Sequence, residues 1–353
     1  MFEIDTKKIG PNNPCYFIAD IAANHDGDLE RAKDLIYLAA EAGADAAKFQ
    51  HFQANTIVSN EGFNNLNKEL LSHQKKWSKS VYDVYDDASV NLDWTTTLKK
   101  TCDEAKISFF TTPYSLHIVD YIDNFVPAYK IGSGDITWFN ILEKIASKNK
   151  PYFLATGASN IDEVKNAVHF LTKINSKICL MQCNTNYTSS MENFKYINLN
   201  VLNTYKTLFP NIILGLSDHT PGHTTVLGAI ALGAVAVEKH FTDDNNRNGP
   251  DHLFAMNPNT WKEMVLRSKE LEYSLGGNFK KVEDNEKETV IIQRRSLRAK
   301  KELKKGTILR SEFFEPLRPC PEDAIIPNNI STINDKILLR DMYKGDYLKE
   351  SDI

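Results

Sequence analysis

"CYFIADIAANHDGDLERAKDLIYLAAEAGADAAKFQ", residues 15–50, contains one complete structural unit. It begins with an apolar run, "CYFIADIA" (15–22), and ends with a second short run, "DAAKFQ" (45–50). Between them "DLERAKDLIYLAAEAG" spaces its apolar residues as a helix does, with Asp28 as N-cap and Gly43 as the stop. A strand apolar on both faces, a helix, then another such strand is the pattern of a parallel βαβ unit.

The unit recurs along the chain. Further strands are expected at "ISFFTT" (107–112), "AYKIGS" (128–133), "YFLATG" (152–157), "ICLMQC" (178–183), "ILGLSD" (213–218) and "VAVEKH" (235–240). Helical patterns separate them; "NIDEVKNAVHFLTKI" places Asn160 and the early acids Asp162 and Glu163 where a helix N-terminus favours them. Eight such units fit a closed (β/α)8 TIM barrel over residues 1–272 better than an open doubly wound sheet. The 51–92 connection is longer than usual, and long loops at the C-terminal mouth of a barrel often carry function.

After residue 272 the style changes. Residues 273–290 are polar and charged, as in a linker, and 291–353 form a separate small domain. "KKELKKGTILRSEFF" and "RDMYKGDYLKESDI" align with Gly306 and Gly345 in register, which predicts a β-rich unit with pseudo-twofold symmetry. The alternative is two unrelated Lys-Gly turns.

Composition narrows the class. The 353 residues are 42% hydrophobic and 25% charged with net charge −4, and no basic stripe suggests nucleic acid. No run approaches the ~18 apolar residues of a membrane span. "MFEIDTKKIGPNNP" has acids and a proline where a signal peptide needs an apolar run. The five cysteines are scattered without a CxxC pair, so neither a disulfide framework nor a zinc ribbon is expected; Cys15, Cys179 and Cys183 read as small core residues. The expectation is a soluble, cytoplasmic enzyme or binding protein acting on small molecules, with neither nucleic acid nor membrane as partner.

In a barrel, the C-terminal ends of the strands face the mouth where chemistry occurs. Those ends carry Asn24, His25 and Asp26; Lys48 and Gln50; Thr112 and Ser115; Lys130, Ser133 and Asp135; and Thr156. They continue with Asn184, Thr185 and Tyr187; Ser217, Asp218 and His219; and Glu238, Lys239, His240 and Asp251. Lys48 and Lys130 lie within apolar strands, where an ammonium needs a partner. One reading pairs each with an acid or lets it snorkel. The other has them meet a doubly charged anion, with hydroxyls of Thr112, Ser133 and Ser217 and the "IGSG" turn adding donors. His219 and His240 end neighbouring strands beside Glu238, and two imidazoles with oxygen ligands suit an open Mn²⁺ or Mg²⁺ site. Either histidine alone reads as a structural hydrogen-bonding residue.

Taken in order, "ANHDGDLERAKDL", "AKFQ", "TTPYS", "AYKIGSGD", "ATGAS", "LSDHTPG", "EKHFT" and "NGPDH" resemble the sialic acid synthase family. "LKKGTIL", "FFEPLRPC" and "KGDYLKESDI" resemble its C-terminal antifreeze-like (SAF) domain, so the resemblance spans nearly the whole chain. It implies condensation of phosphoenolpyruvate with an N-acylated hexosamine and water to give a nine-carbon 2-keto acid and phosphate. Phosphoenolpyruvate would lie on residues such as Lys48, Thr112, Lys130, Ser133 and Ser217. His219 and His240 would hold a divalent metal, commonly Mn²⁺, with Mg²⁺ or Co²⁺ as alternatives. Asp135 occupies the position of the catalytic carboxylate, and Glu238 joins the lysines in the catalytic set. Asp26, Gln50, Thr185, Tyr187 and Asp251 fall at positions that contact substrate or metal-bound water. Arg318, in "PLRPC", matches an arginine that reaches into the partner's site and holds the N-acyl group in a domain-swapped homodimer; read alone, it is a solvated surface residue.

The chain departs from the family pattern in several places. Asp26 and Asp135 stand where the family has glutamates, Ala155 where a serine is usual, and Thr185 where an asparagine is usual. "LRPCPEDAII" replaces a glycine-rich segment. The acceptor stays open among N-acetylmannosamine, its 6-phosphate and a 2,4-diacetamido-6-deoxy hexose leading to legionaminic- or pseudaminic-type acids. A 6-phosphate needs further cations, for which Lys75 and Lys76 are the nearby candidates. The competing class is a non-catalytic sugar-binding or regulatory barrel.

Overall fold

A short hairpin opens the chain, β1 (Phe2–Ile4) pairing antiparallel with β2 (Lys7–Ile9). Eight parallel strands follow: β3 (Tyr16–Asp20), β4 (Ala46–His51), β5 (Ser108–Pro113), β6 (Tyr129–Ile131), β7 (Tyr152–Ala155), β8 (Ile178–Cys183), β9 (Ile213–Asp218) and β10 (Ala234–His240). In this computed structural model, which describes residues 1–66, 74, 77–187 and 189–353, they pair in the order β5-β4-β3-β10-β9-β8-β7-β6. β5 and β6 lie against each other and close the barrel. Each strand end lies within two residues of its sequence-based expectation.

Alternation along the strands decides what each residue does. In β4, Ala47 and Phe49 point outward into the helix-packed core, whereas Ala46 joins the inner core. Lys48 and Gln50 share that inward parity. In β10, Val237 is outward and Ala236 inward, so Glu238 and His240 also face the interior. Helices cover the outer face. Residues 29–41 form the first, its N-cap Asp28 accepting from the Glu30 and Arg31 amides, and residues 161–172 carry the Asn160–Glu163 capping box. The lower interior is filled by Ile18, Phe110, Phe153 and Met181 together with Phe2, Ile4 and Ile9 of the hairpin, which plugs that end. The sequence reading did not anticipate this hairpin, because three-residue strands give too little alternation to register.

One ion pair lies on the outward face. Lys239 and Asp218 are both buried and bonded to each other; Asp218 also accepts from Thr220 and Thr225 at 2.8 Å, and Lys239 donates to the Thr220 carbonyl at 2.6 Å.

The chain divides into two compact units, Met1–Gly276 and Gly277–Ile353. The final barrel helix runs Pro258–Leu275, three residues into the expected linker, and the helix Lys287–Gln293 begins before residue 291. The polar composition of 273–290 thus reflects exposure more than absence of structure. In the second unit, β11 (Ser296–Ala299) pairs antiparallel with β12 (Phe314–Leu317) over a core that includes Leu297, Leu309, Phe314 and Leu338. Leu303 and Met342 exchange both backbone hydrogen bonds. The Gly306 amide donates to Leu338 as the Gly345 amide donates to Ala299, and the Ile308–Ile337 bridge is matched by Tyr347–Arg298. Each partner recurs at the spacing that separates Gly306 from Gly345, and both glycines have φ of 90°. The quasi-repeat is therefore a structural pseudo-twofold. Among the described residues, no helix is long and apolar enough to cross a membrane.

Removing one partner of the outward pair leaves a buried charge. Asp218→Ala is expected to destabilise the barrel by about 3–5 kcal/mol, read as a lower denaturant midpoint. An unchanged midpoint would contradict the pairing.

Candidate active site

At the C-terminal ends of the strands lies a cavity of about 430 Å³. Of the residues expected to form the site, Lys48, Gln50, Thr112, Lys130, Ser133, Asp135, Thr185, Tyr187, Ser217, His219, Glu238, His240 and Asp251 all line it. Two do not. Asp26 lies outside the lining and is bound by other side chains, with Arg247 Nη2 at 2.7 Å and His252 Nε2 at 2.9 Å. Arg318 belongs to the second unit, where it is exposed and makes no hydrogen bond or ion pair with the described residues.

The cavity floor is a chain of alternating charges. Lys48 Nζ lies 2.7 Å from Asp20 Oδ2 and 3.8 Å from Glu238 Oε2, and Lys130 Nζ lies 3.1 Å from Glu238 Oε1. Both lysines are thus paired with acids, yet both still face the cavity. Register makes this possible, since Asp20 lies opposite Lys48 across β3–β4 and His240 opposite Asp20 across β10–β3. Burial works against ionisation of both Asp20 and Lys48, but their mutual attraction outweighs it, lowering the acid and raising the base. Short polar groups complete the floor. Gln50 donates to Asp20 at 3.0 Å, Ser217 to Glu238 at 3.1 Å, and Lys48 to Thr112 at 3.4 Å, while Ser133 Oγ accepts from the Gly157 amide at 2.9 Å.

His219 and His240 face each other with ring centroids 5.3 Å apart, and Tyr187 packs on His219 at 4.3 Å. His219 Nδ1 donates to the Asn184 carbonyl oxygen at 2.8 Å. Burial opposes a charge on this ring, but the hydrogen bond and charge of Cys183 outweigh it and raise its pKa above the ordinary histidine value. His240 Nδ1 is buried without a hydrogen-bond partner, as is Glu238 Oε2. Burial pushes His240 down to about 3, so its ring is neutral. Among the described residues no group of three or more His, Cys, Asp or Glu side chains forms a closed metal cage. Two facing imidazoles, that of His240 neutral and with an orphaned ring nitrogen, fit an open site whose remaining ligands come from substrate and water.

Two carboxyls differ from the paired floor acids. Burial alone pushes Asp135 up to about 6, and burial with the charge of Asp20 does the same for Asp251. Asp135 is thereby placed in the pKa range of a group that exchanges protons near neutrality.

The long 51–92 connection supplies a largely apolar part of the lining, a wall to this floor. Phe52, Ile57, Trp77, Val84, Tyr85 and Ala88 belong to it. Phe52 packs on Tyr85 and Tyr114 at 5.3 and 5.8 Å. Lys75 and Lys76 lie outside the described residues.

Sequence reasoning missed Asp20, Tyr114 and Cys183, which also line the cavity. Asp20 had a signal, a carboxylate in an otherwise apolar strand, the same anomaly that marked the two lysines. Cys183, read as core, is buried but has His219 as hydrogen-bond neighbour. Other strand-end residues prove structural: Asn24 donates to the Phe241 carbonyl at 2.9 Å and Thr156 to that of Met181 at 2.9 Å, while His25 packs on Trp94.

The NeuB family model matches residues 35–280. The chain is a member of the NeuB family. This NeuB-family chain is 35% identical over 310 residues to the N,N'-diacetyllegionaminic acid synthase of Campylobacter jejuni, covering 86% of this chain and 90% of that protein. It is 30% identical over 321 residues to the human N-acetylneuraminate-9-phosphate synthase, covering 89% and 88%. The crystal structure of the N-acetylneuraminic acid (sialic acid) synthetase of Leptospira borgpetersenii, in complex with citrate, aligns with a TM-score of 0.71 at 28% identity, covering 82% of this chain and 94% of that one.

Asp135 yields a pH-dependent prediction. Its folded-state carboxyl sits near 6 against an ordinary 3.8, so folding favours the protonated acid. The penalty is absent below about pH 4, grows as pH rises through that interval, and reaches roughly 3 kcal/mol above it. Asp135→Asn in this NeuB-family chain should therefore raise the denaturation midpoint at about pH 8 and leave it unchanged at about pH 3.5. An equal change at both would contradict the assignment.

Proposed function

We propose that the chain is a nonulosonic acid synthase, joining phosphoenolpyruvate, an open-chain N-acylated hexosamine and water into a nine-carbon 2-keto acid and inorganic phosphate. The observation that carries this reading is the meeting of two buried lysines and two facing imidazoles in one cavity. Relatives across most of the chain include an N,N'-diacetyllegionaminic acid synthase and an N-acetylneuraminate-9-phosphate synthase.

Lys48 and Lys130 receive the carboxylate and phosphate of phosphoenolpyruvate, giving up part of their attraction to Asp20 and Glu238 as they do so. Thr112, Ser133 and Ser217 add hydroxyls to the same anion. Its methylene carbon attacks the aldehyde carbon of the sugar, forming the new C–C bond. Water then adds to the resulting cationic carbon, losing a proton, and the C–O bond to phosphate breaks. Asp135 is the group that takes and returns protons in these steps. His219 and His240 would hold a divalent cation, Mn²⁺ with Mg²⁺ or Co²⁺ as alternatives, which supplies Lewis acidity toward the aldehyde oxygen. Gln50, Thr185, Tyr187 and Asp251 orient the sugar. Ala155 offers no hydroxyl, so the anion is held here by fewer side-chain donors than the family pattern would give.

The acceptor we favour is uncharged at C6, N-acetylmannosamine or its 2,4-diacetamido-6-deoxy analogue. Lys48 and Lys130 are the only lysines or arginines among the described residues lining the cavity, and both belong to the anion floor. The apolar wall suits a methyl or acetamido group better than a phosphate. We read the Gly277–Ile353 unit as an antifreeze-like domain that delivers Arg318 to the site of a second copy in a domain-swapped homodimer, working in the cytoplasm where phosphoenolpyruvate is made.

The test is phosphate release from phosphoenolpyruvate with Mn²⁺ and a panel of these acceptors and the 6-phosphate. Turnover should require both metal and one acceptor, and His240→Ala should lower it at least a hundredfold while preserving the fold. Arg318→Ala should raise the acceptor KM far more than that of phosphoenolpyruvate. Full turnover by metal-stripped protein, or silence across the panel without phosphoenolpyruvate binding, would remove the reading.

A further inference from the structure

Asp26, expected to touch substrate, does something else in the structure. It stands in "NHDG" with φ of 53°, a left-handed conformation for a non-glycine residue, followed by Gly27 at 73°. Its carboxylate Oδ2 accepts from Arg247 Nε at 2.8 Å, and Arg247 Nη2 lies 2.7 Å from the same oxygen, a close ion pair. Oδ1 lies 2.9 Å from His252 Nε2. His252 is fully buried, and its Nδ1 meets Thr242 Oγ1 at 2.7 Å, so Nε2 is the nitrogen that donates to Asp26. Arg31 adds a second guanidinium, 3.2 Å from Asp26, and is held by two bonds to Asp243.

What these contacts fix is the loop after β10. Arg247 and His252 flank Gly249, Pro250 and Asp251, of which the last two line the cavity. Gly249 permits the tight fold of this stretch, since a Cβ there would fall 2.6 Å from His252 Cδ2. Asn245 ties the loop base by donating to the carbonyls of His252 and Ala255 at 2.8 and 2.7 Å. Asp251 Oδ2 then sits 3.4 Å from the Ala23 amide and 3.8 Å from His240 Nδ1, against the first strand's end and the imidazole site.

We propose that Asp26 is a positioning residue. By clamping Arg247 and His252 on either side of Asp251, it fixes where that carboxylate enters the cavity, and it contacts no substrate itself. The inference rests on the synthase reading, because it assigns Asp251 a part in that reaction. A misplacement of about 1 Å at a reacting centre costs on the order of a hundredfold in rate, so a clamp outside the cavity has kinetic consequences.

Steady-state phosphate release, with the acceptor that the wild type uses, tests it. Arg247 is 43% exposed, so Arg247→Ala leaves the barrel core intact. It should lower kcat or raise the acceptor KM by roughly tenfold or more, with the phosphoenolpyruvate KM within about twofold. Arg247→Lys should recover part of the loss by keeping the charge. Asp26→Ala should match Arg247→Ala in which constant moves, and Arg247→Ala combined with Asp251→Asn should be no slower than Asp251→Asn alone. Wild-type kinetics in Arg247→Ala, or losses that multiply between Asp26→Ala and Arg247→Ala, would overturn the clamp while leaving the synthase intact. A wild type that turns over no acceptor would overturn both.

Discussion

The contact between Lys48 and Asp20, 2.7 Å apart and both almost fully buried, constrains the rest of the barrel. Charges placed this deep are costly unless each is paired with geometry that holds. The pairing holds because β3 and β4 lie in register, and it extends through Glu238 on β10 to Lys130 on β6. A slip of one residue in any of these strands would turn its charged side chain into the apolar helix layer. The same constraint that fixes the register also presents two ammonium groups to one cavity, already desolvated and already oriented. A substrate dianion then competes with carboxylates rather than with water.

Position along a strand matters more here than residue type. Lys239 and Asp218 lie one residue from Glu238 and His219, yet they face outward and bind each other and the neighbouring Thr220 and Thr225. Glu238 and His240, on the inward parity, keep buried atoms without partners. Buried polar atoms are normally satisfied, and these two orphans belong to residues that line the cavity, within reach of a ligand. The aromatic and aliphatic wall from the 51–92 connection contributes no charge among its described residues, and the division between charged floor and apolar wall gives the site its direction.

Much of this was legible in the sequence because each strand is a dense apolar run bounded by a capped helix. Asp28 and Asn160 announced their helices, and the lysines and histidines at strand ends announced the mouth. The hairpin at residues 2–9 was not legible, because its burial comes from plugging a barrel assembled by residues far along the chain. Asp20 was passed over for a related reason. Its meaning depends on Lys48 lying opposite, a fact of register rather than of local pattern. Asp26 was assigned by its place in a motif, but its partners Arg247 and His252 lie more than two hundred residues away. The wall was legible only as a long insertion, since spacing does not reveal which of its aromatics turn inward.

The buried lysines serve as an anion floor and are more than a structural ion network. Titration calorimetry of phosphoenolpyruvate into wild type and into Lys130→Met addresses this directly, because it reads binding without turnover. An anion floor gives saturable binding to the wild type and at least a tenfold weaker affinity in the variant. Equal affinities in two equally folded proteins would contradict it.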